Sequence, residues 1–319
     1  MKRELKHAGL RVLRASGVFS AAARMRRRDT LLILCYHGIS LRDEHEWEGG
    51  LYLTPQQFRD RLQWLRESGA NVLPLSVALD LLEKRSLPPR SVALTFDDGF
   101  YDFYRHAVPL LSEFGFPCTV YLTTFYCDYR LPIFNLVINY ILWKSSRSAG
   151  TPQEARLSEV RRYVDDARAQ KLDTEARDAI ARQCAESHGV DYDSILRDRL
   201  FQLMSPEEVS MAAKKGIDVQ LHTHRHRTPL DRELFVREIR DNSRRIEEFT
   251  GRAPRHFCYP SGVTAPDFLP WLRECGVRSA TTCEPGLISQ RSERLMLPRY
   301  LDGGGMERID FEGWLSGIL

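Results

Sequence analysis

Short runs of apolar residues alternate along this chain with longer stretches in which apolar residues recur every three or four positions. The short runs are typical of buried β-strands, and the longer stretches are typical of amphipathic helices. Regular alternation of the two predicts an α/β fold, in which about seven parallel strands form a distorted (β/α) barrel. The predicted strands are residues 30–36, 71–75, 91–96, 118–123, 217–221, 256–259 and 277–282.

Two of the predicted helices begin with strong N-terminal signals. Residues 54–57 (TPQQ) supply an N-cap, a proline at the first helical position and a glutamine that can complete a capping box, and residues 205–208 (SPEE) repeat this arrangement. Glycines at positions 69, 115 and 216 mark predicted helix ends. Further helices are predicted from about Ser76, after Asp102, and over residues 232–250 and 266–275.

Residues 125–204 interrupt the alternation of strands and helices. They begin with aromatic and apolar residues and continue with a stretch rich in Arg, Asp, Glu and Ala that has helical character. We predict a mainly helical insertion in a barrel domain that covers residues 30–310. The apolar run at 131–143 is too short to cross a bilayer and contains a proline and two asparagines, so it indicates a buried or interfacial helix. No transmembrane segment is expected.

Positive charge is concentrated at the N-terminus. Residues 1–28 contain nine basic side chains and one acidic one, whereas the formal charge of the whole chain is only +3. Apolar residues recur among the basic ones at roughly helical spacing, which is typical of a basic amphipathic helix on an anionic membrane surface. A solvated, partly disordered leader over residues 1–29 remains the alternative. The rest of the chain is slightly acidic, so no nucleic acid is expected as a partner.

The seven cysteines are scattered singly, without a CxxC pair. This pattern favours reduced thiols, and we interpret Cys35, Cys118 and Cys258 as small core residues. The most apolar N-terminal run is short and is followed by a basic cluster, so there is no convincing signal peptide. We therefore predict a cytoplasmic protein, with a peripheral position on the inner face of the membrane as an open alternative.

Candidate chemistry follows two of the predicted strands. Asp97 and Asp98 come directly after the apolar strand 91–96, and two adjacent carboxylates at a buried strand end require a compensating cation. His222 and His226 follow strand 217–221 at a spacing that can place two imidazoles on one face of a helical turn. Because reactive groups collect at the C-terminal ends of barrel strands, we expect the two pairs to meet. Two histidines and one carboxylate would leave open positions on a metal, as catalytic sites require.

The segments 95–99 (TFDDG) and 222–226 (HTHRH) resemble the first two motifs of the polysaccharide deacetylases, also known as NodB-homology or carbohydrate esterase family 4 proteins. The resemblance extends over most of residues 30–305, without the insertion. It implies that Asp97 is the catalytic base. It also implies that Asp98, His222 and His226 bind a divalent metal, most often Zn²⁺.

Further roles follow from the same resemblance. The segment 257–262 (FCYPSG) is similar to the third motif, which implies an oxyanion-binding role for the Tyr259 backbone N–H and a substrate contact at Pro260. The first strand ends in Tyr36 and His37, as in the branch with a permuted motif order, which implies that His37 is the general acid and Tyr36 contacts the substrate.

The arginine that orients the base in many members of the family has no clear match in this sequence. We assign that role to Arg299, with Arg255 as the alternative.

The resemblance implies a metal-dependent hydrolase that removes N-acetyl groups from an amino sugar in a polysaccharide or its lipid-linked precursor. Asp97 would be the base and water at the metal the nucleophile. Deformylation or O-deacetylation of a related glycan stays open, because the same site chemistry serves those reactions. A non-catalytic carbohydrate-binding protein on the same fold is the alternative from a different class.

Overall fold

The centre of the molecule is a parallel sheet that curls into a barrel. The computed structural model describes residues 2–149 and 152–319, and within them the strands are β1 (Leu32–Tyr36), β2 (Gly38–Ile39), β3 (Tyr52–Leu53), β4 (Asn71–Val72), β5 (Ser91–Phe96), β6 (Thr119–Leu122), β7 (Asp218–Leu221), β8 (His256–Cys258), β9 (Ser279–Thr281) and β10 (Tyr300–Leu301). The main sheet has the order β10-β1-β5-β6-β7-β8-β9, and β4 also pairs with β5. This arrangement confirms the predicted distorted (β/α) barrel.

An irregular segment, residues 297–301, connects the two ends of the sheet. Leu297 forms a parallel bridge with Thr281 of β9, and Tyr300 pairs with Leu34 of β1. The segment therefore lies between the last strand of the alternating pattern and the first one. Its position brings residue 299 to the rim of the barrel.

Side chains along each strand alternate between the barrel interior and the surrounding helices, as the geometry of a strand requires. On β1, Leu34 and Tyr36 belong to the large outer core, which also contains residues of the helices. Ile33 instead clusters with residues of other strands, including Tyr121 and Cys258. The side chains that face inward at the C-terminal ends of the strands are therefore available for a functional site.

The helices enclose the sheet. The predicted capping boxes at Thr54 and Ser205 both form. The helix expected after Asp102 begins instead as a π-helix, Phe103–Ala107. In the described part of the chain, no helix is both long and apolar enough to span a membrane. The α-helices are α1 (Lys2–Ala15), α2 (Val18–Arg26), α3 (Glu44–Trp47), α4 (Pro55–Glu67), α5 (Leu75–Glu83), α6 (Val108–Phe114), α7 (Phe134–Ala149), α8 (Gln153–Ala169), α9 (Thr174–Ser187), α10 (Tyr192–Arg197), α11 (Pro206–Lys214), α12 (Arg232–Thr250), α13 (Phe268–Glu274) and α14 (Arg308–Ser316).

The insertion between β6 and α11 consists mainly of the helices α7 to α10. These helices have an apolar core of their own, separate from that of the barrel. Trp47 of α3 joins this core, with its ring 5.9 Å from that of Tyr140 and 5.1 Å from that of Phe201. The insertion therefore packs on the rim of the barrel through aromatic contacts.

The basic N-terminal segment forms the two helices α1 and α2, which pack against α14. His7 Nε2 lies 2.7 Å from a carboxylate oxygen of Asp310. Arg27, just after α2, is completely buried and donates a 2.7 Å hydrogen bond to the carbonyl of Ser91 at the start of β5. The inner side of this segment thus belongs to the folded body of the protein.

Candidate metal centre and active site

Asp97 follows β5 and lies at the inner rim of the barrel. Arg299 donates two parallel hydrogen bonds to its carboxylate, from Nη1 to Oδ1 at 2.7 Å and from Nη2 to Oδ2 at 2.8 Å. Burial alone would raise the pKa of Asp97, but the guanidinium outweighs this effect and holds the pKa well below its usual range. The carboxylate is therefore charged at neutral pH and fixed in orientation. The structure thus brings the predicted base together with the arginine assigned to orient it.

Two cysteine thiols complete the surroundings of this carboxylate. Cys258 Sγ lies 3.4 Å and Cys35 Sγ 3.6 Å from Asp97 Oδ2, and Arg299 Nη2 is 3.0 Å from Cys258 Sγ. Burial raises the pKa of both thiols, so they are neutral donors to the carboxylate. From the sequence, Cys35 and Cys258 were expected to be core residues only. The alternation of side chains along β1 and β8 places both cysteines on the inner face of the sheet, and this pattern could have indicated their contact with Asp97.

Asp98, His222 and His226 converge on one point beside Asp97. The Nε2 atoms of both histidines lie 3.2 Å from Asp98 Oδ1. The three ligand atoms are all within 4.8 Å of one another. Burial would raise the pKa of Asp98, but the two imidazoles reverse the effect and hold its pKa well below the usual value.

The backbone around these residues adopts the left-handed region at several positions. In the first motif φ is 69° at Asp98 and 83° at Gly99, and in the second it is 62° at Thr223 and 54° at His226. The positive φ at Gly99 favours glycine, and a Cβ there would also lie 2.3 Å from Leu122 Cδ1 and displace that side chain. The expected helical turn over residues 222–226 is wrong, because the segment is a non-helical bend. In this bend the two imidazoles still converge, because both of their Nε2 atoms lie 3.2 Å from Asp98 Oδ1.

Hydrogen bonds fix the orientation of His222. Its Nδ1 lies 2.9 Å from the carbonyl oxygen of Cys258, so Nδ1 carries the proton and the Nε2 lone pair faces Asp98. Asn242 accepts a 2.9 Å hydrogen bond from the His222 backbone N–H. His224, between the two candidate ligands, instead contacts the Thr124 hydroxyl at 2.9 Å. It therefore does not take part in the cluster.

The three side chains fit a divalent metal by their chemistry. They offer two imidazole nitrogens and one carboxylate oxygen, a donor set that suits Zn²⁺. The Nε2 atom of His222 is free for such a bond because Nδ1 already donates to a backbone carbonyl. Three protein ligands leave coordination positions open, which is characteristic of catalytic sites. His226 is partly exposed, so the cluster opens to solvent.

His37 also lies close to Asp97. Its Nε2 atom is 3.8 Å from Asp97 Oδ2. Burial lowers the pKa of His37, and the negative charge of Asp97 opposes this without cancelling it. The site therefore does not favour a permanent positive charge on the ring. His37 nevertheless occupies the position from which a proton could be transferred at the rim.

Three residues predicted to contact the substrate or reaction centre are placed differently. The Tyr259 backbone N–H donates to the carbonyl of Thr281 at 3.2 Å, because the pairing of β8 with β9 continues by one residue, and it is not free for an oxyanion. Tyr36 is completely buried and stacks on Phe96, so the predicted substrate contact is wrong. Pro260 is also buried and does not line the cavity described below.

Arg255, the alternative to Arg299, lies away from the site. It directly precedes β8, whereas the candidate site follows the C-terminal ends of the strands. Its backbone N–H donates to the Gln220 side chain at 2.7 Å. The assignment of the orienting arginine therefore falls on Arg299 alone.

An open cavity of about 550 Å³ gives access to the site. Asp97, Asp98, His37, His222 and His226 all line it. Several other lining residues were not predicted from the sequence, because their place beside the site depends on contacts between segments that are distant along the chain. These are Leu51, Phe100, Tyr126, Asn135, Arg225, Ser261, Cys283 and Leu301.

Known proteins share both sequence and structure with this chain. The Bacillus subtilis protein named putative polysaccharide deacetylase YxkH is 31% identical over 93 residues, which are 29% of this chain and 31% of that protein. The poly-β-1,6-N-acetyl-D-glucosamine N-deacetylase of Staphylococcus epidermidis is 36% identical over 72 residues, which are 23% of this chain and 25% of that protein. The matched segments thus span less than a third of these relatives' lengths.

The structural likeness extends further along the chain. The Streptococcus pyogenes deacetylase PplD, solved in complex with acetate, superposes with a TM-score of 0.61 at 18% sequence identity, covering 91% of this chain and 98% of that one. At this identity the likeness shows the fold. The family model described as polysaccharide deacetylase matches residues 84–280, more than half of the chain, and includes both the Asp-Asp-Gly and the His-Thr motifs. The chain therefore belongs to the polysaccharide deacetylase family.

Proposed function

We propose that this protein is a metal-dependent hydrolase that removes N-acetyl groups from an amino sugar, either in a polysaccharide or in its lipid-linked precursor. The observation that supports it best is the position of Asp97, a charged carboxylate fixed by Arg299 beside a separate three-ligand cluster. The S. epidermidis relative is an N-deacetylase of a β-1,6-linked N-acetylglucosamine polymer, which supports an N-acetylated glycan as the substrate.

The metal ligands and the proton-transfer residues would have separate roles. Asp98, His222 and His226 would hold the metal, which would polarise the acyl carbonyl and lower the pKa of a water molecule. Asp97 would accept the proton of the attacking water, and the two hydrogen bonds from Arg299 keep its oxygens in place for this transfer. His37, whose Nε2 lies 3.8 Å from Asp97 Oδ2, would donate a proton to the leaving amine in its protonated form.

Metal analysis combined with product analysis tests this proposal. We expect about one divalent metal per wild-type chain, and release of acetate and free amine in equal amounts from an N-acetylhexosamine oligomer. Asp98→Ala should lose both metal and activity, because it removes one of three ligands. Retention of both by Asp98→Ala would refute the metal site. Formate in place of acetate, or acetate without free amine, would instead favour deformylation or O-deacetylation.

We extend the proposal to location, with the protein on the cytoplasmic side and its N-terminal helices on the inner membrane face. All seven cysteines are free, which suits a reducing compartment. The outer side of α1 and α2 exposes Leu5, Val12 and Met25 at 69%, 67% and 81%. Exposed arginines of the same segment, among them Arg24 and Arg28, would attract anionic headgroups.

Vesicle sedimentation tests the membrane contact. The wild-type protein should sediment with anionic phospholipid vesicles and not with zwitterionic ones. The double variant Leu5→Glu/Val12→Glu should lose this binding. Val77→Glu, which changes an exposed valine on α5, is the matched control and should bind as the wild type does. Equal binding by the double variant would refute the contact.

A further inference from the structure

A second cavity lies between the barrel rim and the helical insertion, and we name it the insertion groove. Its volume is about 640 Å³, and its walls include the turn Phe125–Asp128 and residues of α8 and α9. It is continuous with the cavity of the active site, because Tyr126, Asn135, Arg225 and His226 line both. Since His226 belongs to the candidate metal cluster, the groove begins at the reaction centre itself.

Two arginines of the groove share one buried carboxylate. Glu238 is completely buried and accepts hydrogen bonds from Arg225 Nη1 at 3.1 Å and from Arg227 Nε at 2.8 Å. It also accepts a 2.8 Å hydrogen bond from the backbone N–H of Arg225. Two guanidinium groups therefore face a single negative charge, and one positive charge is left uncompensated at this wall of the groove.

Arg177 of α9 adds a second positive charge from the opposite wall. Its Nε atom is buried, and it has no hydrogen-bond partner among the described residues. A buried guanidinium nitrogen without a partner is costly, so a ligand that accepts its hydrogen would be stabilised. The charges of Arg177, Arg225 and Arg227 all act on the Tyr126 hydroxyl, where they oppose the rise in pKa that burial causes.

Three acidic residues also line the groove, Asp173, Glu175 and Asp178, and all of them belong to α9 or cap it. Asp178 accepts the hydroxyl of Tyr192, and Asp173 caps α9 by accepting a 2.9 Å hydrogen bond from the Ala176 backbone N–H. These carboxylates keep their negative charge on the α9 side, so the excess positive charge lies on the barrel side of the groove, where Arg225 and Arg227 share Glu238 next to His226 of the candidate metal cluster.

We propose that the insertion groove binds an anionic group of the substrate, a phosphate ester or a sugar carboxylate, close to the acetylated residue. Arg177 supplies the unpartnered donor, and Arg225 and Arg227 supply the excess charge. The inference rests on the proposed deacetylase function and narrows its substrate class to acidic or phosphorylated glycans. Planar guanidinium groups suit both anions, since each offers oxygens for charge-assisted hydrogen bonds.

Calorimetry on the full, metal-loaded chain tests this binding without any reaction. The probes are glucose 1-phosphate and glucuronic acid, which carry no acyl group and represent the two sources of the anion. Arg177→Gln should weaken binding of the recognised anion about tenfold. Arg177→Lys should restore part of it. Arg162→Gln is the matched control, because Arg162 is an exposed arginine of α8 outside the groove, and it should change nothing.

The kinetic arm uses N-acetylated disaccharides with and without a phosphate or carboxylate. For the anionic member of the pair, Arg177→Gln should raise KM about tenfold at unchanged kcat, and for the neutral one it should leave both constants unchanged. Equal affinity of wild type and Arg177→Gln for both probes would overturn the inference. Binding that depends on Arg177 without deacetylation of any substrate would refute the proposed function and leave the groove assignment standing.

Discussion

Arg299–Asp97 at the barrel rim and Arg61–Asp302 on the α4 side are both buried ion pairs, but the pKa values of their carboxylates are shifted in opposite directions. Asp97 accepts two hydrogen bonds from its arginine and has two thiols beside it. Asp302 accepts one hydrogen bond, from Arg61 Nε at 2.8 Å, while Arg61 Nη2 donates to the backbone carbonyl of Met306 at 2.9 Å.

The pKa values of the two aspartates follow from this difference. Arg299 outweighs burial and lowers the pKa of Asp97. At Asp302 burial outweighs the arginine and raises the pKa to about 6. An arginine partner therefore does not by itself lower the pKa of a buried carboxylate, because the number and geometry of its hydrogen bonds also decide the outcome. Only Asp97 also borders a cavity and a set of candidate metal ligands.

The largest expected difference between the two pairs is in catalysis. Asp97→Asn should lower kcat by about 10²–10⁴-fold, because the amide cannot accept the proton of water. Asp302→Asn should change it less than about threefold, since Asp302 lies outside the cavity. Steady-state deacetylation assays on both purified variants measure this. Comparable losses in the two variants would show that the rim carboxylate has no special role.

The second difference is in the size of the loss of stability at pH 7. Asp97→Asn should lower the free energy of unfolding by about 3 kcal/mol, because it leaves the buried Arg299 without its counter-charge. Asp302→Asn should lower it by less, because it also leaves a buried guanidinium, that of Arg61, without its counter-charge, but burying the charged Asp302 already opposes folding. Urea unfolding of the metal-free proteins gives both values. Destabilisation of the same size in both variants would contradict the comparison.

The smallest expected effect is a pH dependence from Asp302 alone. Its folded-state pKa of about 6 exceeds the unfolded value, so the folded protein binds more protons between pH 4 and 6. The contribution to stability is complete below the unfolded pKa and is lost as the pH rises through the folded one. At about 1.4 kcal/mol per pKa unit, the loss from pH 4 to pH 7 is about 2 kcal/mol. Asp302→Asn should abolish this pH-dependent loss of unfolding free energy. The same loss in the variant would show that Asp302 does not cause it.

Much of the fold and of the metal cluster was predictable from local pattern. The strands that precede Asp97 and His222 are short, apolar and followed by polar residues, so their ends indicated the rim. The capping boxes at Thr54 and Ser205 were equally readable, because all of their atoms come from four consecutive residues. The placement of Arg299 beside Asp97 agrees with an assignment made from the resemblance.

The features that the sequence did not predict depend on register and on distant contacts. The Tyr259 N–H donates to the carbonyl of Thr281 because the pairing of β8 with β9 continues by one residue. The sequence of β8 alone does not show how far this pairing extends. The orientation of Tyr36 follows from the phase of β1, which places it with Leu34 on the outer face. The insertion groove depends on how α9 packs over the turn after β6, so Arg177 could not be placed near Tyr126 in advance.

The segment that connects the two ends of the sheet also determines when the site can form during synthesis. Arg299 lies on this segment, 202 residues after Asp97. A chain still emerging from the ribosome can form β5 long before the guanidinium that neutralises Asp97 exists. Until then, burying that carboxylate is opposed by its desolvation. Closure of the barrel and pairing of the charged base with its arginine therefore come late and together, so a chain truncated before residue 299 cannot assemble the site.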